Sequence, residues 1–229
     1  MKNILLIGGS HGIGFEMAKN LHEGNNVFIA SRTNDQLGNL NVNHLPFDAT
    51  KDAIEALELP DELHGFAYCP GSINLKPLKM LSIEAFREEM ELNFFALAKV
   101  VKHIMPKMQA GSSMVFFSTV AVGTGMPFHT SVAAAKGAIE GFSRSLAAEY
   151  APRVRVNCIA PSLIDTPLAG RLLNNDKKRE AMAERHPLKR VGRPEDISNL
   201  ALFLLREESS WLTGQVLGVD GGMSTLNIS

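Results

Sequence analysis

Short, continuous apolar runs alternate along the chain with longer segments in which apolar residues recur at helical spacing. Most of the short runs lack polar alternation, which is typical of strands covered on both faces of a sheet. The predicted strands are residues 3–7, 27–31, 44–47, 65–69, 113–118, 154–159 and 216–219. The predicted helices are residues 13–23, 51–58, 83–109, 132–150, 174–184 and 195–205. This alternation predicts the α/β class, with right-handed crossovers and a doubly wound parallel sheet that carries helices on both faces.

Proline and glycine fall at the joints between these segments, and no change of composition divides the chain. Residues 1–229 are therefore predicted to form a single domain, and a hydrophobic content of 45% is enough for a sizeable core. The formal net charge of -1 favours neither a nucleic-acid partner nor binding to an acidic membrane surface.

The two cysteines, Cys69 and Cys158, have neither the spacing of a metal site nor the density of a disulfide framework. We therefore expect no metal and a reducing compartment, the cytoplasm. The first apolar run, residues 4–7, is too short for the core of a signal peptide. No apolar run reaches the length of about 18 residues that a membrane-spanning helix needs, so we expect no membrane association.

The first predicted strand runs into a glycine-rich turn, residues 8–14, which a predicted helix follows. Glycine lets the backbone approach a pyrophosphate closely, and the helix N-terminus presents free N–H groups to its negative charge. Because both the strand and the helix are present, the turn indicates a dinucleotide site; the alternative is a plain strand-to-helix turn.

The spacing of this turn, Gly-x-x-x-Gly-x-Gly, resembles that of the short-chain dehydrogenase/reductase family, and later motifs extend the resemblance over nearly the whole chain. These motifs are Asp48, residues 69–71, Asn93, residues 157–162, residues 190–196 and residues 213–222. The resemblance implies a three-layer Rossmann fold, hydride transfer with a nicotinamide cofactor, and a homodimer or homotetramer. The cofactor-binding positions that it implies are Gly8, Ser10, His11, Gly12, Ile13, Gly14, Ser31, Arg32, Asp48, Ala49, Pro70, Gly71, Lys136, Pro161, Ile164 and Thr166.

The end of the second predicted strand indicates which cofactor is used. An acidic residue there would bind the ribose hydroxyls of NAD and repel a 2′-phosphate. This chain has Ser31 and Arg32 instead, a hydroxyl and a planar guanidinium that suit phosphate, so the sequence favours NADP(H). The alternative is an ordinary exposed arginine after a strand.

Members of the family use Asn, Ser, Tyr and Lys together, and the resemblance places these roles on Asn93, Thr119, Val132 and Lys136. The tyrosine that donates the proton is thus replaced by valine, while Thr119 keeps a hydroxyl that can polarise an oxygen. His129 could donate instead, being a group that titrates near neutral pH, or it could be a solvated loop histidine. Lys136 could donate if burial lowered its pKa, or it could serve only as a ribose ligand.

The first hypothesis is an NADP(H)-dependent oxidoreductase that acts on a small carbonyl or alcohol substrate. The second is a catalytically silent NADP(H)-binding protein, a sensor or a partner subunit, and a third is reduction of an activated C=C bond. The polar segment 166–187 is predicted to be a lid over the substrate pocket or a plain surface helix.

Overall fold

The computed structural model describes residues 1–227 and contains a seven-stranded, entirely parallel sheet. The strands are β1 (Lys2–Ile7), β2 (Asn25–Ser31), β3 (Asn43–Pro46), β4 (Leu63–Tyr68), β5 (Met108–Phe117), β6 (Val154–Pro161) and β7 (Val216–Val219). Their order in the sheet is β3-β2-β1-β4-β5-β6-β7. The order reverses between β1 and β4, and ligands of such sheets bind at the carboxyl ends of the strands at that point.

Side chains of each strand alternate between two cores, one on each face of the sheet. In β1, Leu5 and Ile7 pack into one core, and Ile4 and Leu6 pack into the other. The helices are α1 (Gly12–Leu21), α2 (Ile83–Met90), α3 (Ala96–Ile104), α4 (Thr130–Tyr150), α5 (Asp176–Glu184) and α6 (Pro194–Leu205). Helices α1 and α6 cover one face, and α3 and α4 cover the other. The predicted three-layer, doubly wound α/β fold is therefore confirmed.

Two predicted helices are wrong in extent. Residues 51–58 contain only the short 3-10 turn Ile54–Ala56, because Asp48 holds the preceding residues in a side-chain-capped turn. The helix predicted over residues 83–109 ends at Ile104, since Pro106 lacks the backbone N–H that would continue it. The chain enters β5 at Met108, earlier than predicted.

Candidate active site

The glycine-rich turn follows β1 directly and leads into α1. Gly8 has a φ of 78° and Gly12 one of 54°, values that residues with a Cβ rarely adopt. His11 is the N-cap, but its side chain does not cap the helix, and its ring instead lies 3.0 Å from Ser10 Oγ. The N–H groups of the first turn, which begins at Gly12 and Ile13, are therefore free to bind an anion.

Close packing surrounds this turn. A Cβ on Gly14 would lie 2.5 Å from the carbonyl oxygen of Gly8, so α1 packs against bare backbone. Pro70 Cδ lies 3.1 Å from the position that a Cβ on Gly8 would take. Thr166 Cγ2 lies 3.2 Å from the corresponding position on Gly12. This close packing requires glycine at these three positions, and bare backbone that leads into a helix N-terminus fits the pyrophosphate of a dinucleotide cofactor.

Ser31 ends β2 with a buried hydroxyl. That hydroxyl donates to the carbonyl oxygen of Thr33 at 2.8 Å, and His44 Nε2 lies 3.1 Å from both the hydroxyl and the carbonyl oxygen of Ser31. Because a carbonyl oxygen only accepts, Nε2 of His44 carries a proton. The hydroxyl proton of Ser31 is thus already engaged in a hydrogen bond within the protein. The hydrogen-bond donors exposed at the end of β2 belong to Arg32.

Asp48 lies half-buried beyond β3, beside Ala49. Its carboxylate accepts a hydrogen bond of 2.7 Å from the hydroxyl of Thr50 and one of 3.0 Å from its backbone N–H. The Thr50 hydroxyl is the largest cause that lowers the pKa of Asp48 below its ordinary value. A fixed, charged acceptor at this strand end suits an exocyclic amino group.

Lys136 and Asn93 meet beside Gly71, at the end of β4. Lys136 is 7% exposed, and its Nζ donates to the carbonyl oxygen of Phe117 at 3.0 Å. Burial lowers the pKa of Lys136 to about 8. Asn93 Oδ1 is buried and has no hydrogen-bond partner within residues 1–227. A Cβ on Gly71 would lie 3.3 Å from Lys136 Nζ and 3.7 Å from Asn93 Oδ1, so both atoms face one gap that a ligand hydroxyl could fill.

Asn93 lies in a wide helical turn. Residues Glu91–Phe95 form a π-helical turn between α2 and α3, in which the N–H of Ala96 donates to the carbonyl oxygen of Glu91. The carbonyl oxygen of Leu92 accepts instead from the hydroxyl of Tyr68 at 2.7 Å. Burial raises the pKa of Tyr68, so the phenol stays protonated and donates. The sheet thereby holds the turn that carries Asn93.

Tyr68→Phe should destabilise the protein by about 1 kcal/mol, because it removes the part-buried hydrogen bond from the phenol to the carbonyl oxygen of Leu92. Urea unfolding measures this change, with Tyr150→Phe as the matched control for loss of a phenol hydroxyl. Equal stability of Tyr68→Phe and the parent protein would show that the bond contributes nothing to the turn.

Thr119 follows β5 and lines the same cavity as Lys136. Its Oγ1 accepts from the N–H of Ala121 at 3.3 Å, which leaves the hydroxyl proton free to donate. The neighbouring Ser118 donates to Glu140 Oε1 at 2.7 Å and is engaged with α4. Thr119 is therefore the hydroxyl of this pair that is available to a substrate oxygen.

Lys136 and Thr119 line one cavity of about 250 Å³, whose walls are mainly apolar side chains. Val132 and His129 both line it, at the start of α4. Val132 lies one helical turn before Lys136. His129 Nδ1 donates to the carbonyl oxygen of Pro127 at 2.7 Å, which leaves Nε2 free to act in the cavity.

Segment 166–187 covers this cavity through Leu168, Leu172 and Met182. Its helix α5 has no buried residue, and an ion pair of 2.5 Å between Arg179 and Asp165 ties it to the end of β6. Pro161 and Ile164 line the cavity from β6 and the loop after it. Its role as a lid, or as a plain surface helix, stays a prediction.

Sequence reasoning missed two pairs of polar residues in this region. Ser162 Oγ lies 2.9 Å from Nε2 of the buried His186, and Ser72 donates to the buried Glu89. Neither pair is close in sequence, so no local motif reveals them. The only signal in the sequence is that an acid, Glu89, lies four residues before Asn93. That spacing places the side chains of Glu89 and Asn93 on one helical face.

Comparisons with known proteins agree with this geometry. A family model described as Enoyl-(Acyl carrier protein) reductase matches residues 8–224. A 3-oxoacyl-[acyl-carrier-protein] reductase of Chlamydia trachomatis is 34% identical over 97% of both chains. A tropinone reductase homologue of Arabidopsis thaliana is 33% identical over 100% of this chain and 94% of its own. The ligand-free aldohexose dehydrogenase of Thermoplasma acidophilum superposes with a TM-score of 0.90 at 27% identity, over 100% of this chain and 96% of that one.

The chain belongs to the short-chain dehydrogenase/reductase family of oxidoreductases. Members of this family bind nicotinamide cofactors and act on small molecules. Over residues 1–227 no helix is both long and apolar enough to cross a membrane. The same residues hold no group of three or more His, Cys, Asp or Glu side chains placed to bind a metal ion.

Proposed function

We propose that the chain is a single dinucleotide-binding domain and an NADP(H)-dependent oxidoreductase that interconverts a small carbonyl compound and its alcohol. The observation that carries this proposal is that Lys136 and Thr119 line one cavity beside the glycine-rich turn, while the buried Asn93 Oδ1 lies next to Lys136 Nζ at Gly71. The reductase and dehydrogenase names of the relatives support the same class of reaction.

Each part of the site has its own role in binding the cofactor and the substrate. The glycine-rich turn binds the pyrophosphate, Arg32 binds the 2′-phosphate, and Lys136 binds the hydroxyls of the nicotinamide ribose. When bound, the nicotinamide supplies or accepts the hydride. Thr119 donates a hydrogen bond to the substrate oxygen, and the apolar walls of the cavity exclude water around it.

The proton must move through a group other than residue 132, because valine has none to give. The sequence offers His129, Lys136, or a water held by Asn93. The pKa of about 8 for Lys136 makes its ammonium a better acid than an ordinary lysine. His129 also lines the cavity, and Nδ1 is the ring nitrogen that its bond to Pro127 uses.

The surroundings of the site support two further proposals. Trp211 is 98% exposed and Phe95 is 46% exposed, and such apolar surface suits a homodimer or homotetramer. Both cysteines are free thiols, which suits a protein of the reducing cytoplasm.

Titration with NADPH and NADH, followed by cofactor oxidation over a panel of ketones, aldehydes and enoyl compounds, tests the proposal. Arg32→Asp should weaken NADPH binding by about 10- to 100-fold, since it removes a charge-assisted contact to the phosphate and adds a charge that repels it. NADH binding should be kept or improved, because the new carboxylate can accept from the ribose hydroxyls. The matched control is Arg206→Asp, which makes the same charge change at the end of α6. Equal affinity of the parent protein for both cofactors would contradict the phosphate role, and tight binding without oxidation would indicate a silent nucleotide-binding protein.

A further inference from the structure

A buried carboxylate lies directly behind the cavity and has no part in the reaction as described so far. Glu89 on α2 is 4% exposed. It accepts hydrogen bonds from Ser72 Oγ and, at 3.1 Å, from Asn93 Nδ2, rather than from a cationic side chain. Burying a carboxylate whose hydrogen-bond partners are all neutral is costly.

Ser72 connects this carboxylate to the cavity. Its side chain lines the cavity, which Glu89 itself does not reach. Ser72 Oγ donates to Glu89 Oε2, and Asn93 Nδ2 donates to Ser72 Oγ at 3.0 Å. Asn93 is itself fixed by a bond of 2.9 Å from Nδ2 to the carbonyl oxygen of Glu89. The three side chains thus form a connected hydrogen-bond network that ends at a hydroxyl in the cavity wall.

We propose that Ser72 and Glu89 carry the proton of the reaction, in a site whose helix α4 offers valine at position 132. This inference rests on the proposed function. In the oxidation direction, the carbinol carbon loses a hydride to the cofactor and its oxygen loses a proton to Ser72 Oγ. Ser72 passes its own proton to Glu89 Oε2, so a carbonyl compound and a neutral carboxyl remain. In reduction, the same protons move back to the substrate oxygen, and Glu89 is reprotonated from solvent.

The hydrogen bonds of the network suit both states of Glu89. When Glu89 is ionised, Ser72 donates to it, as in this structure. When Glu89 is protonated, it can donate to Ser72, whose second lone pair already accepts from Asn93. The proton of Ser72 is then free to point into the cavity. Ser72 is therefore the catalytic residue of the pair, and Glu89 acts through it.

Glu89 is also in electrostatic contact with Lys136. Its negative charge raises the pKa of Lys136 against the larger, opposite effect of burial. A proton that arrives on Glu89 weakens this attraction. Proton transfer to Glu89 is thus coupled electrostatically to Lys136, the residue proposed to bind the cofactor.

The test compares Glu89→Gln and Ser72→Ala in two backgrounds of the full chain, with Val132 and with Val132→Tyr. In the Val132 background, each variant should lower kcat for carbonyl reduction by about 10²-fold, the lower range for loss of a general acid. In the Val132→Tyr background the loss should shrink to within about threefold, because the phenol supplies the proton instead. Ser72→Thr keeps the hydroxyl and should keep the activity. Glu88→Gln is the matched control, an exposed acid on the same helix.

NADPH affinity and urea unfolding, measured on every variant, separate this role from a structural one. A merely structural role would lower activity equally in both backgrounds, which would overturn the proposal. So would full activity of Glu89→Gln, or a loss that only His129→Phe produces. An inactive parent protein with an active Val132→Tyr variant would also overturn it, while the proposed reaction would stand. If neither turns over any substrate, the proposed function itself fails and takes this inference with it, and the NADPH titration then shows whether cofactor binding survives.

Discussion

Lys136→Met should abolish turnover and yet stabilise the cofactor-free protein. Lys136 Nζ is the only cationic group that faces the gap beside Gly71 among residues 1–227. In the proposed function its loss leaves the nicotinamide ribose without a cationic ligand, and we expect kcat/KM to fall by about 10³-fold, since misplaced reactants lower the rate.

The stability gain follows from the pKa of Lys136. Burial lowers that pKa from 10.5 to about 8, so the folded state disfavours the ammonium that the unfolded chain carries freely. The resulting cost is about 3 kcal/mol, at 1.36 kcal/mol for each pKa unit. It is fully present below pH 8 and disappears as the pH rises to 10.5, because in that range the unfolded chain binds more protons.

Urea unfolding of the parent protein and the variant at pH 7 and at pH 10 measures this difference. Lys136→Met should be more stable at pH 7 by up to about 3 kcal/mol, reduced by the loss of the hydrogen bond from Nζ to the Phe117 carbonyl oxygen, and the gap should narrow toward pH 10. Lys102→Met, at an exposed position of α3, controls for the loss of one charge. A gap that stays constant with pH would show that Lys136 is not held in an unfavourable charged state.

Val132→Tyr should raise the rate of carbonyl reduction by about 10²- to 10⁴-fold, the usual contribution of a positioned general acid. Residue 132 is 7% exposed, lines the cavity, and lies on the same face of α4 as Lys136. A phenol there would extend into the cavity beside the ammonium. The ammonium would lower the pKa of that phenol and make it a stronger acid.

The matched control is Val132→Phe, which fills the same volume without a hydroxyl. Single-turnover reduction with bound NADPH measures both variants on the carbonyl panel. An equal gain for tyrosine and phenylalanine would mean that filling the cavity, and not the proton, limits the parent protein. A loss in both would mean that the substrate occupies the space beside Val132.

The sheet could be predicted because each strand is buried on both faces and therefore reads as an unbroken apolar run. The ends of helices were less predictable. The helical pattern of residues 83–109 continues past Ile104, and only Pro106 ends it. Residues 51–58 carry a helical pattern too short to outweigh the turn that Asp48 imposes.

The contacts within the site could not be predicted, because they join residues from distant parts of the chain. The ring of His44 on β3 forms a hydrogen bond with the hydroxyl of Ser31 on β2. The pattern of either strand alone does not indicate this contact. Ser72 and Glu89 meet only because a loop after β4 packs against α2. The resemblance aligns Val132 with the tyrosine of the family, whereas a proton donor outside the motif can be found only from such contacts.

The wide turn Glu91–Phe95 changes the rotational angle between the faces of α2 and α3, which otherwise continue one another. An ordinary helix advances by about 100° for each residue, so the face of α2 would fix the face of α3. The extra residue resets that angle. Helix α2 can then point Glu89 at the network behind the cavity, while α3 points Leu97, Val100 and Ile104 into the core. Deleting one residue from this turn would restore regular α-helical hydrogen bonds. It would also rotate either α2 away from the network or α3 away from the core.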